Sequence, residues 1–213
     1  MAVCIHIDRV SKSFKGQTVL DGISLDIDAG SITGIVGRNG SGKTVLLKIL
    51  CGLLKPTAGT VEVNGCVLGK DADFPPEVGV IIENPGFLPF ESGYANLAYL
   101  AGLRKKIGKP EIEQAMQTVG LDPHDKKRVG KYSLGMKQRL GLAQAIMEDP
   151  SLLILDEPMN GLDKEGVADM RALLLQFRAQ GKTILLVSHN REDIDTLCDR
   201  VYELDKGILT PVV

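Results

Sequence analysis

The sequence has no apolar run that approaches the ~18 residues needed to cross a bilayer. Its longest candidates, residues 152–155 and 184–187, are the size of strands. Its opening residues, MAVCIHIDRV, alternate polar and apolar and carry no basic-then-apolar signal pattern. It has no excess of either charge. Its 25 Lys and Arg against 27 Asp and Glu leave a formal net charge of −2. That balance, with a pI near 6.0, excludes a protein built mainly to coat nucleic acid. Cysteine is scarce. Cys4, Cys51, Cys66 and Cys198 form no CxxC pair and no Cys/His cluster at zinc spacing, so reduced, mostly buried thiols are expected. Internal repeats and low-complexity segments are absent. What is present is ordinary: 213 residues, 44% hydrophobic and 24% charged, enough for one domain or one domain with an inserted subdomain. The expectation is a cytosolic globular protein.

The hydrophobic pattern changes along the chain. Val3, Ile5 and Ile7 alternate with Cys4, His6 and Asp8 as in a half-buried strand. A second strand carries Leu20, Ile23, Leu25 and Ile27, with Asp21-Gly22 as a candidate bulge. A short strand over Ile32–Val36 runs into a glycine-rich loop, and an apolar helix is expected from Val45 to Leu54, ended by Lys55-Pro56. Asn64-Gly65 predicts the turn of a hairpin over 59–67, and 78–82 reads as a buried strand. Helices are expected over 92–102, 110–119 and 134–148. The last third alternates strands (152–155, 183–187, 201–204, 208–209) with helices (164–179, 190–198). Val167, Met170, Leu174 and Phe177 share one side of the first of these helices. Buried strands alternating with helices predict an α/β layer with a parallel sheet.

Gly37-Arg38-Asn39-Gly40-Ser41-Gly42-Lys43-Thr44 matches G-x-x-x-x-G-K-[ST], between a strand and a helix. Glycines let successive backbone N–H groups turn inward on phosphate oxygens, and the helix that starts there adds its positive dipole end. Lys43 can bridge the terminal phosphates and Thr44 can hold Mg²⁺. The strand 152–155 ends in Asp156-Glu157, which presents two carboxylates at the sheet edge where ligands bind in open α/β folds. Asp156 is placed to hold Mg²⁺ through water, and Glu157 to polarise an attacking water as general base.

Further motifs follow in order: Tyr132-Ser133-Leu134-Gly135-Met136 ahead of that strand, Gly161-Leu162-Asp163 after it, His189 after the 183–187 strand, and Phe14 near the start. With these the sequence resembles the ATP-binding cassette (ABC) family over nearly its whole length. The resemblance implies a P-loop NTPase core with a mixed sheet, an antiparallel N-terminal β part plus a parallel core, and an inserted helical subdomain. It implies a single nucleotide-binding domain over 1–213, with 1–84 and 151–213 as the ATP-binding core and 85–150 as the helical signature part. It also implies that two cassettes pack head to tail around two ATP molecules. Ser133 and the Gly135 N–H would then act in trans, Asp163 would communicate across the dimer, His189 would contact the γ-phosphate, and Phe14 would stack on adenine.

Two departures stand out. The signature reads YSLGM rather than LSGGQ, with Ser133 and Gly135 retained. And Glu83 stands in Ile82-Glu83-Asn84-Pro85 where the family normally has glutamine. A carboxylate about 4 Å from a phosphate charge costs on the order of 4 kcal/mol per charge pair at an effective dielectric of ~20. Glu83 must therefore share the metal, take a proton or stay away until Mg²⁺ is bound, and metal sharing is the expectation. These departures look like the branch that serves bacitracin and lantibiotic export or self-immunity.

The resemblance implies an ATPase that powers a membrane transporter through a separate permease subunit, at the inner face of the membrane, with no nucleic-acid partner. Only 24 residues follow His189, and no appended regulatory domain is expected. A soluble cassette acting on ribosomes or DNA, a non-hydrolysing assembly subunit and a small-molecule kinase are the alternatives. Phe87-Leu88-Pro89-Phe90 either packs on itself or docks a permease helix. The basic runs 104–106 and 126–128, and His6 and His124, are expected at the surface.

Overall fold

The computed structural model describes residues 2–83 and 86–212. Asn84 and Pro85, at the boundary drawn above between the two parts, lie outside the described residues. The chain runs through β1 (Val3–Phe14), β2 (Gln17–Asp28), β3 (Ile32–Val36), α1 (Lys43–Leu50), β4 (Ala58–Val63), β5 (Cys66–Val67) and β6 (Val78–Ile81). Three helices follow: α2 (Gly93–Arg104), α3 (Lys109–Thr118) and α4 (Leu134–Ile146). Then come β7 (Leu152–Asp156), α5 (Lys164–Ala179), β8 (Thr183–Val187), α6 (Arg191–Leu197), β9 (Arg200–Asp205) and β10 (Ile208–Pro211).

An antiparallel sheet has the order β2-β1-β4-β5, and a second sheet has the order β10-β9-β3-β8-β7-β6. In the second sheet only the β9–β10 pair is antiparallel. This is the mixed α/β fold expected. Parallel strands must be covered on both faces, and β7 shows how. Leu152 and Ile154 join α1 and the antiparallel sheet in one core, while Leu153 and Leu155 join α2–α5 in the other. On α5, Met170, Leu174 and Phe177 are buried and Val167 half-buried, on the expected side.

Two boundaries differ from expectation. Val3 is 49% exposed while Cys4 is buried, the reverse of the alternation read from sequence. A register shift between Val3 and Ile5 in the pairing with β2 turns that end of the strand over, and the expected pattern returns at Ile5 and Ile7. Helix α1 starts at Lys43 and stops at Leu50, short of Lys55-Pro56. Gly52 takes φ +75. Its N–H bonds the Ile49 carbonyl and the Leu53 N–H bonds the Lys48 carbonyl, so the helix closes on a glycine cap before any proline is met. The other turns follow expectation. Asp21-Gly22 is the bulge, two residues of β2 opposite the single Ser11 of β1, and Asn64 and Gly65 both take positive φ in their hairpin.

The basic runs are exposed, as are His6 and His124. All four cysteines are free, Cys4 and Cys51 buried, Cys66 and Cys198 half-buried. Burial pushes the Cys51 and Cys198 thiols up to about 12, which keeps them protonated and unreactive. Among the described residues no helix is long and apolar enough to cross a membrane.

Candidate active site

Parallel register brings the C-terminal ends of β3, β8, β7 and β6 to one edge, and the loops that leave them carry the predicted residues. The loop after β3 holds Gly37 at φ +150 and Gly42 at φ +109. A Cβ on Gly37 would lie 2.3 Å from the Leu204 carbonyl oxygen, so only glycine fits there. Helix α1 follows with no side-chain cap and no acidic residue in its first turn. Its first N–H groups are thus free for an anion. The Ser41 hydroxyl is buried with no hydrogen-bond partner among the described residues, and a phosphate oxygen suits it. Lys43 Nζ donates to the carbonyls of Gly37 (2.7 Å) and Arg38 (3.0 Å), which points the ammonium across the loop.

Thr44 Oγ1 donates to Asp156 Oδ2 at 3.1 Å, linking the first turn of α1 to the end of β7. Burial raises the Asp156 carboxyl above its ordinary value, the Thr44 bond opposes this, and Glu157 adds to it. A raised carboxyl stabilises the folded chain below the unfolded pKa, and that contribution is lost as pH rises through the folded one. At neutral pH Asp156 therefore works against folding. Asp156→Asn is expected to melt higher than the native nucleotide-free chain near pH 7, with the gain lost as pH falls through the raised value toward the ordinary Asp value of about 4. Scanning calorimetry at both pH values checks this, and equal melting temperatures near pH 7 would count against the burial argument.

Glu157 sits at φ +51, an uncommon conformation for a non-glycine residue and one that recurs at functional sites. It is held from several sides. Its N–H bonds the Val187 carbonyl at 2.9 Å, and its own carbonyl accepts from Gln138 Nε2 at 3.3 Å. Its Oε2 lies 2.8 Å from His189 Nδ1. Glu83, at φ +58, is ion-paired with Lys48 Nζ at 2.8 Å. Lys48 stands one turn beyond Thr44 on the same face of α1. A neighbouring cation is thus a means of tolerating Glu83 that the sequence reading did not consider.

A cleft of about 490 Å³ gathers Asn39, Gly40, Gly42, Lys43, Thr44, Glu83, Asp156 and Glu157. Val19, Val45, Gln138 and Asn160 line it too and were missed from sequence. Gln138 gave no signal, since it stands between Lys137 and Arg139 in a polar run, yet it is only 6% exposed. The remaining predicted residues do not line the cleft. Phe14 ends β1, half-exposed, with Lys12 Nζ 5.1 Å from its ring centroid. Ser133 caps α4 by accepting the Met136 N–H at 3.1 Å, and Asp163 caps α5 by accepting the Gly166 N–H at 2.8 Å. These two loops touch: a Cβ on Gly161 would strike Leu134, and one on Gly135 would lie 3.3 Å from Leu162.

The profile of the ABC transporter family matches residues 20–160. An uncharacterised ABC transporter ATP-binding protein of Bacillus subtilis (strain 168) is 45% identical over 205 residues, which span 96% of this chain and 94% of the relative. A bacitracin transport ATP-binding protein of Enterococcus faecalis is 40% identical over 215 residues, 100% of this chain and 70% of the relative. A lantibiotic transport ATP-binding protein of Streptococcus pyogenes is 35% identical over 203 residues, 95% of this chain and 87% of the relative. The solved dimeric structure of a bacterial ABC transporter cassette shares the fold, with a TM-score of 0.86 at 23% identity over 96% of both chains.

Proposed function

The chain belongs to the ABC transporter family as an ATP-binding subunit, and on that premise we propose that it hydrolyses ATP to power a transporter whose membrane path lies in a separate permease. The observation that carries this reading is the 2.8 Å contact between His189 Nδ1 and Glu157 Oε2 beside Lys43, Thr44 and Asp156.

In the proposed reaction the loop amides, the Ser41 hydroxyl and Lys43 bind and orient the phosphates. Glu157 accepts a proton as the water oxygen bonds to the γ-phosphorus, and the bond to the β-bridging oxygen breaks with its electron pair leaving on ADP. His189 holds the Glu157 carboxylate on the side facing that water. Thr44 and Asp156 form a hard oxygen pair that suits Mg²⁺, which when bound neutralises phosphate charge. Glu83 is proposed to share that ion, with Lys48 balancing its charge otherwise. Glu83→Gln is then expected to raise the Mg²⁺ concentration for half-maximal hydrolysis by about tenfold. A magnesium titration of phosphate release checks this, and an unchanged midpoint and rate would remove Glu83 from the metal's shell.

The proposal includes a second cassette. Ser133 and Gly135 lie outside the cleft, and in this reading they close on nucleotide held by the partner, with Asp163 at the seam. Phe14, exposed beside the loop that precedes Val19, is proposed to stack on adenine. The helical part (85–150) is proposed to turn against the core (1–84 and 151–213) as nucleotide is bound and released. The Phe87–Phe90 loop is clamped by Asn96, whose Oδ1 accepts the Leu88 N–H at 2.7 Å. Phe87 packs inward, while Leu88 and Phe90, with Tyr99 and Leu103 on α2, are exposed apolar side chains. They are proposed to receive a cytoplasmic helix of the permease, which keeps the chain at the inner face of the membrane. Relatives named for bacitracin and lantibiotic transport support a peptide antibiotic or similar amphipathic molecule as cargo, and export is its proposed direction.

The test is a pull-down of tagged Glu157→Gln with ATP from detergent-solubilised native membranes, read by mass spectrometry. A polytopic membrane protein is the expected companion. Ribosomal or nucleic-acid partners without one would overturn the transporter reading.

A further inference from the structure

His189 is flanked by two residues that are tied to a single hydroxyl. Ser188 Oγ accepts the Asn190 N–H at 3.1 Å and donates to Asp193 Oδ2 at 3.0 Å. Ser188 is 2% exposed and Asp193, on α6, is 1% exposed. The other carboxylate oxygen, Asp193 Oδ1, accepts two N–H groups of Arg171 on α5, from Nε at 2.9 Å and Nη2 at 2.6 Å. Arg171 Nη1 reaches Glu192 Oε1 at 2.9 Å. The direction of every bond in this set is determined. A guanidinium only donates, so Asp193 Oδ1 accepts; Asp193 Oδ2 accepts from the Ser188 hydroxyl, which keeps lone pairs for the Asn190 N–H.

A buried ion pair is a poor means of holding two helices together, since apolar packing does as well without desolvating charge. What it adds is geometry. Here the geometry ends on the side chain of Ser188 and the backbone N–H of Asn190, the two neighbours of His189, whose Nδ1 meets Glu157. We propose that Arg171 and Asp193 are positioning residues for ATP hydrolysis: through Ser188 they fix the loop that presents His189, and so hold the imidazole against the Glu157 carboxylate. The proposal rests on the roles given above to Glu157 and His189. It also gives α5, whose first turn is capped by Asp163, a mechanical link to the reacting centre through its middle.

The discriminating variant is Ser188→Ala, which cuts the link to the loop and leaves the Arg171–Asp193 pair in place. In the purified chain with ATP and Mg²⁺, kcat is expected to fall about tenfold, with KM for ATP within about twofold. Arg171→Met is expected to lower kcat likewise and to melt at a lower temperature, because it strands a buried carboxylate. Both variants are then made in a His189→Ala background, where neither should lower kcat further. An equal fractional loss with and without His189, a change confined to KM, or an unchanged kcat in Ser188→Ala would overturn the proposal. Native-rate hydrolysis by His189→Ala alone would instead strike the role of His189 itself. That result is read before any second-site variant is made.

Discussion

Glu157→Gln is expected to lower ATP turnover by about 10²–10⁴-fold while nucleotide affinity stays within about twofold. The separation follows from where the residue sits. In the proposed reaction the phosphates are addressed by the loop amides, Ser41 and Lys43, whereas the Glu157 side chain is hydrogen-bonded to His189. The Glu157 backbone is held independently, by Val187 and Gln138, so the substitution leaves its left-handed conformation in place. Glutamine keeps the shape and can still accept from His189 Nδ1, but it cannot take a proton from water. Phosphate release against fluorescent-nucleotide binding measures the two quantities side by side. In the two-cassette reading, ATP should also hold the variant as a dimer on size-exclusion chromatography where the native chain turns over and separates. Turnover within about threefold of native would mean that Glu157 is not the base.

The parts of this site that were legible in the sequence are those encoded locally. The 37–44 loop needs glycines wherever its backbone takes positive φ, and that need is written in consecutive residues. Asp156 and Glu157 could be read because a run of apolar residues must end at a sheet edge. Ser133 and Asp163 were read from motifs of consecutive residues, and the structure adds that they cap α4 and α5. The unread parts depend on pairing between distant segments. The inversion of Val3 and Cys4 comes from register with β2, which no alternation within β1 reveals. Helix α1 stops at Leu50 because Gly52, just past its end, closes it at positive φ against Asp73, where a Cβ would lie 2.0 Å from a carbonyl oxygen. Lys48 and Glu83, or Arg171 and Asp193, are unremarkable charges until the fold sets them 2.8 Å and 2.6 Å apart.

Gly79→Ala is expected to be the most damaging single methyl in the parallel sheet. Gly79 lies in β6, and a Cβ there would sit 2.1 Å from the Ala145 carbonyl oxygen and 2.9 Å from its carbonyl carbon, both backbone atoms of α4. The Leu153 side chain, 2.8 Å away, can rotate aside; a helix backbone cannot. Two effects oppose. Alanine restricts the unfolded chain and on that account adds about 0.4–1 kcal/mol, because Gly79 does not take a positive φ. Overpacking subtracts about 1–3 kcal/mol or more, and contact with backbone lies at the upper end. The net is a loss of roughly 2 kcal/mol, or about 4–8 °C in melting temperature for a chain of this length. The consequence reaches the site, since α4 carries Ser133 at its start and Gln138 against the Glu157 carbonyl, while β6 leads to Glu83. ATP turnover should therefore fall even at temperatures where the variant is folded. Gly102→Ala is the control of opposite sign. It lies in α2 with nothing within 4 Å of an added Cβ, and should gain about 0.5–1 kcal/mol from helix propensity alone. Thermal melts of the two variants, run together, separate steric exclusion from a general effect of replacing glycine. A Gly79→Ala chain that melts as high as Gly102→Ala would show that α4 is free to shift against β6.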